Sequence, residues 1–374
     1  MKALRLSVLL LFLAVALFLA FAPRMVENTM NRVMPHELAV ISPEAAALHA
    51  DLVVGDQHAD STLWRRDLRE RSERGHVDLP RLRAGNVALQ VFTSVTRTPA
   101  GQNYESNSAD ARDNITFLAL AQRWPPRTWG SLTERALYQG GRLAAIAEAE
   151  PETLTLLRSP ADVDRLLSAR RAGADTVGAV LGIEGAHALD GNLASIDRLY
   201  DAGFRMFGLH HFFDNALGGS LHGTGGRGLT AFGKAVVRRL DEREVIIDIA
   251  HSSPESVRDV LELTARPLVV SHTGFQGQCP TPRNIDDQLM QDIAAAGGLI
   301  GVGFWDAAVC DVSPAGIVAA IRYGIDLVGE DHIALGSDYD GATSVPFDVS
   351  ELAVLTDTML QAGMPQPTIR KVMG

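Results

Sequence analysis

The sequence predicts a single (β/α)8 barrel of the α/β class, with a hydrophobic N-terminal helix and a helical excursion between the second and third strands. Three observations predict it. Eight short apolar runs rich in β-branched residues read as strands buried on both faces, as in a parallel sheet. Helical patterns separate most of them. Histidines and carboxylates close one strand after another, at the carboxyl ends where barrels of this class carry their functional groups. A chain of 374 residues, 46% hydrophobic and 21% charged, has an ordinary globular composition and enough length for one large core.

The N-terminus stands apart from the rest. Lys2 and Arg5 precede an uncharged run from Leu6 to Ala22, so residues 1–23 read as an export signal or a short membrane anchor. The run is apolar on every face, which excludes an amphipathic core helix. Ala20-Phe21-Ala22 resembles a cleavage site, but Pro23 would follow the cut, and this favours a retained anchor. The body is then expected to face the periplasm or the extracellular side, or to be periplasmic if the segment is cleaved. Residues 24–50 read as a connector with one short helix, and 51–374 as the barrel; His36 and His49 receive no role.

Leu52 to Asp56 is the first strand, ending in Gln57-His58-Ala59-Asp60. A histidine and an aspartate two apart on extended chain point to the same side and can grip one ion. Residues 61–87 read as charged and irregular, with His76 at the surface. Ala88 to Ser94 is the second strand. The excursion holds helical patterns at about 108–123, 131–149 and 160–171, broken at Trp124-Pro125-Pro126 and packed outside the barrel. Val177 to Ile183 is the third strand and ends at Glu184, where a carboxylate is costly unless a cation or donor meets it. Arg205 to Leu209, the fourth, ends in His210-His211, of which alternation admits only one to a shared site. A Gly-rich loop, Asp214 to Gly228 with His222, is positioned to cover the mouth, and helix 230–242 follows.

Val245 to Ile249 and Pro267 to Val270 are the fifth and sixth strands, ending in His251 and His272. Between them Ser252 and Ser253 are capping candidates, Pro254 suits a first turn, and Glu255 stands three after Ser252 as in a capping box. A loop with Arg283 leads to a helix through Ile285, Leu289 and Ile293. Leu299 to Phe304 is the seventh strand, Ile317, Ile321 and Ile325 mark the next helix, and His332 to Gly336 is the eighth, followed by Ser337-Asp338-Tyr339-Asp340-Gly341.

A formal charge of -11, from 34 Lys and Arg against 45 Asp and Glu, argues against nucleic acid as a partner. Two cysteines, Cys279 and Cys310, either pair or remain separate buried thiols. His58, Asp60, Glu184, His211, His251, His272 and Asp338 converge on one mouth. Three imidazoles and two carboxylates among them already exceed the needs of one tetrahedral zinc and suit two zinc ions that share a carboxylate, in an open, hydrolytic site.

These residues, in the segments DQHAD at 56–60, GIEGAH at 182–187, IDIAHSS at 247–253, VSHTG at 270–274, PRN at 282–284 and GSDYDG at 336–341, closely resemble the membrane (renal) dipeptidase family of metallopeptidases, within the amidohydrolase-like barrels. The resemblance runs from about Val53 to Val345. It implies that His58, Asp60 and Glu184 hold one zinc, that Glu184, His251 and His272 hold the other, and that a bridging hydroxide attacks the peptide bond of a dipeptide, including those with a D-residue at the carboxyl side. It further implies that Asp338 moves the proton, that His211 donates to the oxyanion, that Arg283 clamps the substrate's free carboxylate, that Cys279 and Cys310 are bonded, and that the protein forms a homodimer. Relatives with a carboxylated lysine bridge are disfavoured, because of Lys2, Lys234 and Lys371 none lies at a strand end. The family usually continues beyond the position of Gly374 into a Gly-Asn segment and a final helix, so a truncated C-terminus is expected; without the family's lipid-anchoring tail, any tether lies at the N-terminus. The competing expectations are another binuclear amidohydrolase acting on a cyclic amide, lactone or N-acyl amino acid, and a non-catalytic, membrane-tethered binding protein.

Overall fold

The computed structural model describes the backbone of residues 1–374 and all side chains except those of residues 2–4, 8, 11–17 and 20. Its centre is a ring of eight strands: β1 (Val54–Ala59), β2 (Val87–Val95), β3 (Val177–Glu184), β4 (Phe204–Gly208), β5 (Ile246–Asp248), β6 (Val269–Thr273), β7 (Leu299–Val302) and β8 (Ile333–Leu335). Each pairs in parallel with the next, and β8 pairs back to β1 through Leu335 and Asp56, so the sheet closes. Closure leaves no barrel edge unpaired and aims all eight carboxyl ends at one mouth.

The strands form where the apolar runs lie, and every residue of β3 is buried. Their limits differ from expectation at the carboxyl ends. β1 continues through His58 to Ala59 and β6 through His272 to Thr273. Polar residues there face the barrel interior, which the hydrophobic pattern does not report. Close packing at the site end depends on glycine: a Cβ at Gly301 would lie 2.3 Å, and one at Gly336 2.1 Å, from the Ser271 carbonyl oxygen.

Four of the surrounding helices begin with Ser-Pro, at Ser42, Ser159, Ser253 and Ser313, and in each the serine accepts a backbone N–H of the first turn while proline supplies a residue that needs no donor. The cap of Pro254–Leu263 is therefore Ser253, whose side chain accepts from Ser256; the expected capping box from Ser252 to Glu255 does not form, and Ser252 turns to His210 instead. In the excursion, helices Leu132–Ala149 and Pro160–Arg171 lie where predicted. The first is shorter, Asn114–Ala121, because Asp113 caps it through the N–H groups of Ile115 and Thr116. Leu154–Leu156 adds a short parallel strand beside the first residues of β3, Val177–Ala179, ahead of its pairing with β4, which hydrophobic periodicity did not reveal.

Helix α1 (Lys2–Met30) runs through Pro23 into the stretch read as connector. The side chains of much of the Leu6–Ala22 run lie outside the described residues, and among the described residues no helix is long and apolar enough to cross a membrane. Immediately after α1, Arg32–Val33 pairs in parallel with Ser344–Val345, beyond β8.

Candidate metal centre

At the mouth, the barrel brings together six strand ends. Glu184 Oε1 lies 3.6 Å from His58 Nε2, 3.4 Å from His251 Nε2 and 3.5 Å from His272 Nε2, while its Oε2 lies 3.2 Å from His211 Nε2. Asp60 Oδ1 and Asp338 Oδ1 stand 3.6 and 3.9 Å from His58 Nε2. All seven side chains are buried. His251 and Asp338 reach the mouth from backbone at φ 60° and 58°, a strained region for such residues that the barrel holds in place.

Three potential cation positions follow: His58 with Asp60 and Glu184, Glu184 with His211 and His251, and His58 with His272 and Asp338. Glu184, His251 and His272 form a further close group, since His251 Nε2 and His272 Nε2 are 2.9 Å apart. Glu184 belongs to three of the four groups.

The donor chemistry fits a cation. Ser271 Oγ donates its one proton to Asp248 Oδ2 at 2.7 Å and faces His58 Nδ1 at 3.1 Å and His272 Nδ1 at 2.9 Å. Both histidines then donate from Nδ1, which leaves each Nε2 with a lone pair aimed at the cluster. Asp60, Glu184 and Asp338 pair with no Lys or Arg among the described residues. Burial, reinforced by the Asp60 charge, raises the Glu184 pKa well above the ordinary carboxylate value. Burial likewise lifts Asp338 to about 8, and Asp60 adds to this. Burial opposes charge on His58, yet Asp60, Glu184 and Asp338 overcome it and lift that imidazole to about 10, so Nε2 carries a proton until a cation takes its place. A site that raises one imidazole so far is built for positive charge.

Of the adjacent pair after β4, His211 joins the cluster; buried His210 bonds Ser252 Oγ through Nδ1 at 2.9 Å. Arg283, in the loop after β6, is shielded from solvent. It is fully buried, donates to the His272 carbonyl at 2.7 Å, and stacks 5.2 Å from the Trp305 ring centroid. Cys279 and Cys310 are bonded, tying the Arg283 loop to the short helix Asp306–Val309 beside Trp305. A cavity of about 690 Å³ joins Arg283 to Asp60, Glu184, His211, His251 and Asp338, a size that suits a small ligand.

Several contributors escaped sequence reasoning. Thr93 donates to Asp60 Oδ1 at 2.6 Å. Asp56 accepts from Ser337 N–H and Oγ at 2.8 Å each and from Gln90 at 2.7 Å, joining β1, β2 and the end of β8. Its spacing from His58 and Asp60 places it on their face of the strand, a signal present in the sequence. His222, in the Gly-rich loop, stacks on Phe212, whose centroid is 4.9 Å from that of His251, so the loop packs into the wall of the mouth. His76 is completely buried rather than at the surface; its Nδ1 accepts the Asp340 N–H at 2.9 Å.

The family model described as "Membrane dipeptidase (Peptidase family M19)" matches residues 43–374. The chain is 32% identical over 235 residues to "Uncharacterized protein in pqqA 5'region" of Klebsiella pneumoniae, covering 59% of this chain and 85% of that protein. It is 26% identical over 329 residues to "Dipeptidase ataJ" of Aspergillus terreus, covering 80% of this chain and 74% of that protein. The fold is similar to that of a metallo peptidase from Rhodobacter sphaeroides liganded with a phosphinate mimic of dipeptide L-Ala-D-Ala, with TM-score 0.70, 24% identity and coverage of 86% of this chain and 96% of that one.

Proposed function

Because the chain belongs to the membrane dipeptidase family and is thereby a metal-dependent dipeptidase, we propose that it cleaves dipeptides at a site for two zinc ions, one held by His58 and Asp60, the other by His251 and His272, with Glu184 shared. The observation that carries this reading is one carboxylate oxygen, Glu184 Oε1, within 3.6 Å of three imidazole nitrogens in a buried mouth. Such ions, when bound, activate water and polarise a peptide carbonyl.

The side chains supply the rest. Asp338, whose Oδ1 faces the cluster 3.9 Å from His58 Nε2, takes a proton from the attacking water and delivers it to the leaving amine. His211 donates to the carbonyl oxygen as negative charge develops there. Arg283, which donates to the His272 carbonyl and pairs with no acid among the described residues, receives the terminal carboxylate, a task suited to a planar guanidinium. A longer peptide carries its carboxylate too far from the cluster, so length selection follows. A D-residue on the carboxyl side fits the same reading, supported by the mimic bound to the Rhodobacter sphaeroides relative.

Export is part of the proposal. Lys2 and Arg5 ahead of an uncharged run support an N-terminal anchor or signal, and the Cys279–Cys310 bond suits a periplasmic or extracellular body. The family resemblance adds a homodimer, which light scattering of the purified chain tests.

The deciding experiment is hydrolysis of L,L and L,D dipeptides and matched tripeptides by the zinc-loaded protein. Dipeptide cleavage that a chelator abolishes, with tripeptides intact, is the expected result. Two bound zinc ions with no cleavage of any dipeptide would overturn it in favour of another amide or lactone substrate.

A further inference from the structure

The wall of the cavity facing the metal centre is not made by the barrel alone. Leu19, Ala22, Pro23, Val26 and Met30 of α1 line the same cavity as Glu184, His211 and Arg283. Their spacing of three and four residues puts them on one helix face. α1 precedes residues 43–374, the part matched by the family model, so the family's common features do not account for this wall.

The helix is fastened to the mouth. Glu27 is buried and pairs with Arg66 and, at 3.2 Å, with Arg74. Arg66 in turn pairs with Asp340 beyond β8. At the end of α1, Asn31 Oδ1 accepts from Ala342 N–H at 2.8 Å, and Met34 N–H donates to the Val345 carbonyl at 2.8 Å. α1 also packs on helix Asn114–Ala121, which follows β2. Its attachments therefore lie on the β8–β1–β2 side of the ring. Arg283 follows β6, and in a closed ring of eight β6 stands opposite β2.

This arrangement has a direction. A dipeptide with its carboxylate at Arg283 and its peptide bond over the cluster extends its amino-terminal residue toward α1. There the surroundings are apolar: Val26 and Met30 on α1, with Leu63, Trp64 and Ile115 also lining the cavity. We propose that α1 forms the subsite for the amino-terminal residue and makes the enzyme selective for dipeptides in which that residue is large and apolar. The inference rests on the dipeptidase reading above and deepens it.

The test uses the full-length, metal-loaded chain in detergent. kcat/KM is measured for Leu-Ala and Gly-Ala, which differ on the amino side, and for Ala-Leu and Ala-Gly, which differ on the carboxyl side. The expected Leu-Ala preference over Gly-Ala is roughly tenfold or more, the scale of discrimination available from apolar contacts. In Val26→Ser/Met30→Ser that ratio falls severalfold, whereas the Ala-Leu to Ala-Gly ratio moves far less. Val26 and Met30 are 39% and 42% exposed, so the double variant removes little core. Should it nonetheless lose its fold, Val26→Thr keeps the shape and lowers the amino-side ratio in smaller measure. An amino-side ratio that is the same in wild type and a folded variant, or a fall equal on both sides, overturns the subsite while leaving the dipeptidase reading intact. No cleavage of any of the four dipeptides overturns both.

Discussion

Two buried acidic clusters lie at the same end of this barrel, and they are balanced in opposite ways. In one, Glu27 and Asp340 meet Arg66 and Arg74. In the other, Asp60, Glu184 and Asp338 face imidazoles and, among the described residues, pair with no Lys or Arg. Burial opposes ionisation in both. Burial raises the Glu27 pKa with Arg66 and Arg74 opposing, and Arg66 and His76 hold the Asp340 pKa below its ordinary value, whereas Glu184 and Asp338 are pushed up with no arginine paired to them among the described residues. The protein supplies arginine counter-charge in the first cluster and, among the described residues, none in the second, which is the arrangement the proposed metal site requires.

The sharpest way to break this contrast is Glu184→Gln, which keeps the shape and removes the charge. Loss of a directly bound carboxylate is expected to lower activity by more than about 100-fold, above the usual cost of removing an outer-shell partner. Bound metal, counted by elemental analysis, falls with it, while the melting temperature of the metal-free protein holds or rises because a buried acid has gone. A large drop in melting temperature would assign Glu184 to the structural class.

Asp340→Ala reverses that expectation. Arg66 loses one of its two buried carboxylates and keeps Glu27, at a cost of about 1.5–3 kcal/mol, and the melting temperature falls. Metal bound per folded molecule stays close to wild type. Loss of metal from a folded protein would show that the two clusters are not separate.

Ser271→Ala sharpens the comparison, since this hydroxyl orients two proposed ligands at once. Metal affinity, measured by competition with a chromogenic chelator, is expected to fall about 10- to 100-fold, with the fold retained. An unchanged affinity would mean that backbone packing alone sets the two imidazoles.

The smallest effect concerns pH. Burial lowers the His76 pKa from 6.5 to about 4, with Asp340 partly opposing and Arg66 adding to the shift. The unfolded chain therefore binds this proton more readily than the folded one. Stability from this group is complete above about pH 6.5 and is lost as pH falls toward 4, reaching about 2 kcal/mol by pH 5. In His76→Gln, denaturant melts at pH 7 and pH 5 should differ less than in wild type by up to that amount. An equal difference would remove His76 from the pH dependence.

The barrel and the strand-end residues of the cluster follow from local features of the chain. Apolar, β-branched runs at regular intervals are enough to mark buried strands, and a histidine or acid at a strand's carboxyl end is local information. Thus His58, Asp60, Glu184, His251, His272 and Asp338 were legible before any coordinates, and alternation left one of His210 and His211 for the site. What only the tertiary structure decided depends on contacts remote in sequence. Asp340 meets Arg66 across 274 residues, Ser271 meets His58 across 213, and α1 reaches the cavity from beyond the barrel. His76 read as a surface residue because its neighbours are charged, and nothing local reveals that Asp340 draws it inside. Periodicity reports which face of an element is buried; it carries no term for which distant charge will meet that face, and that pairing separates the cluster that holds the fold from the one left open for a metal.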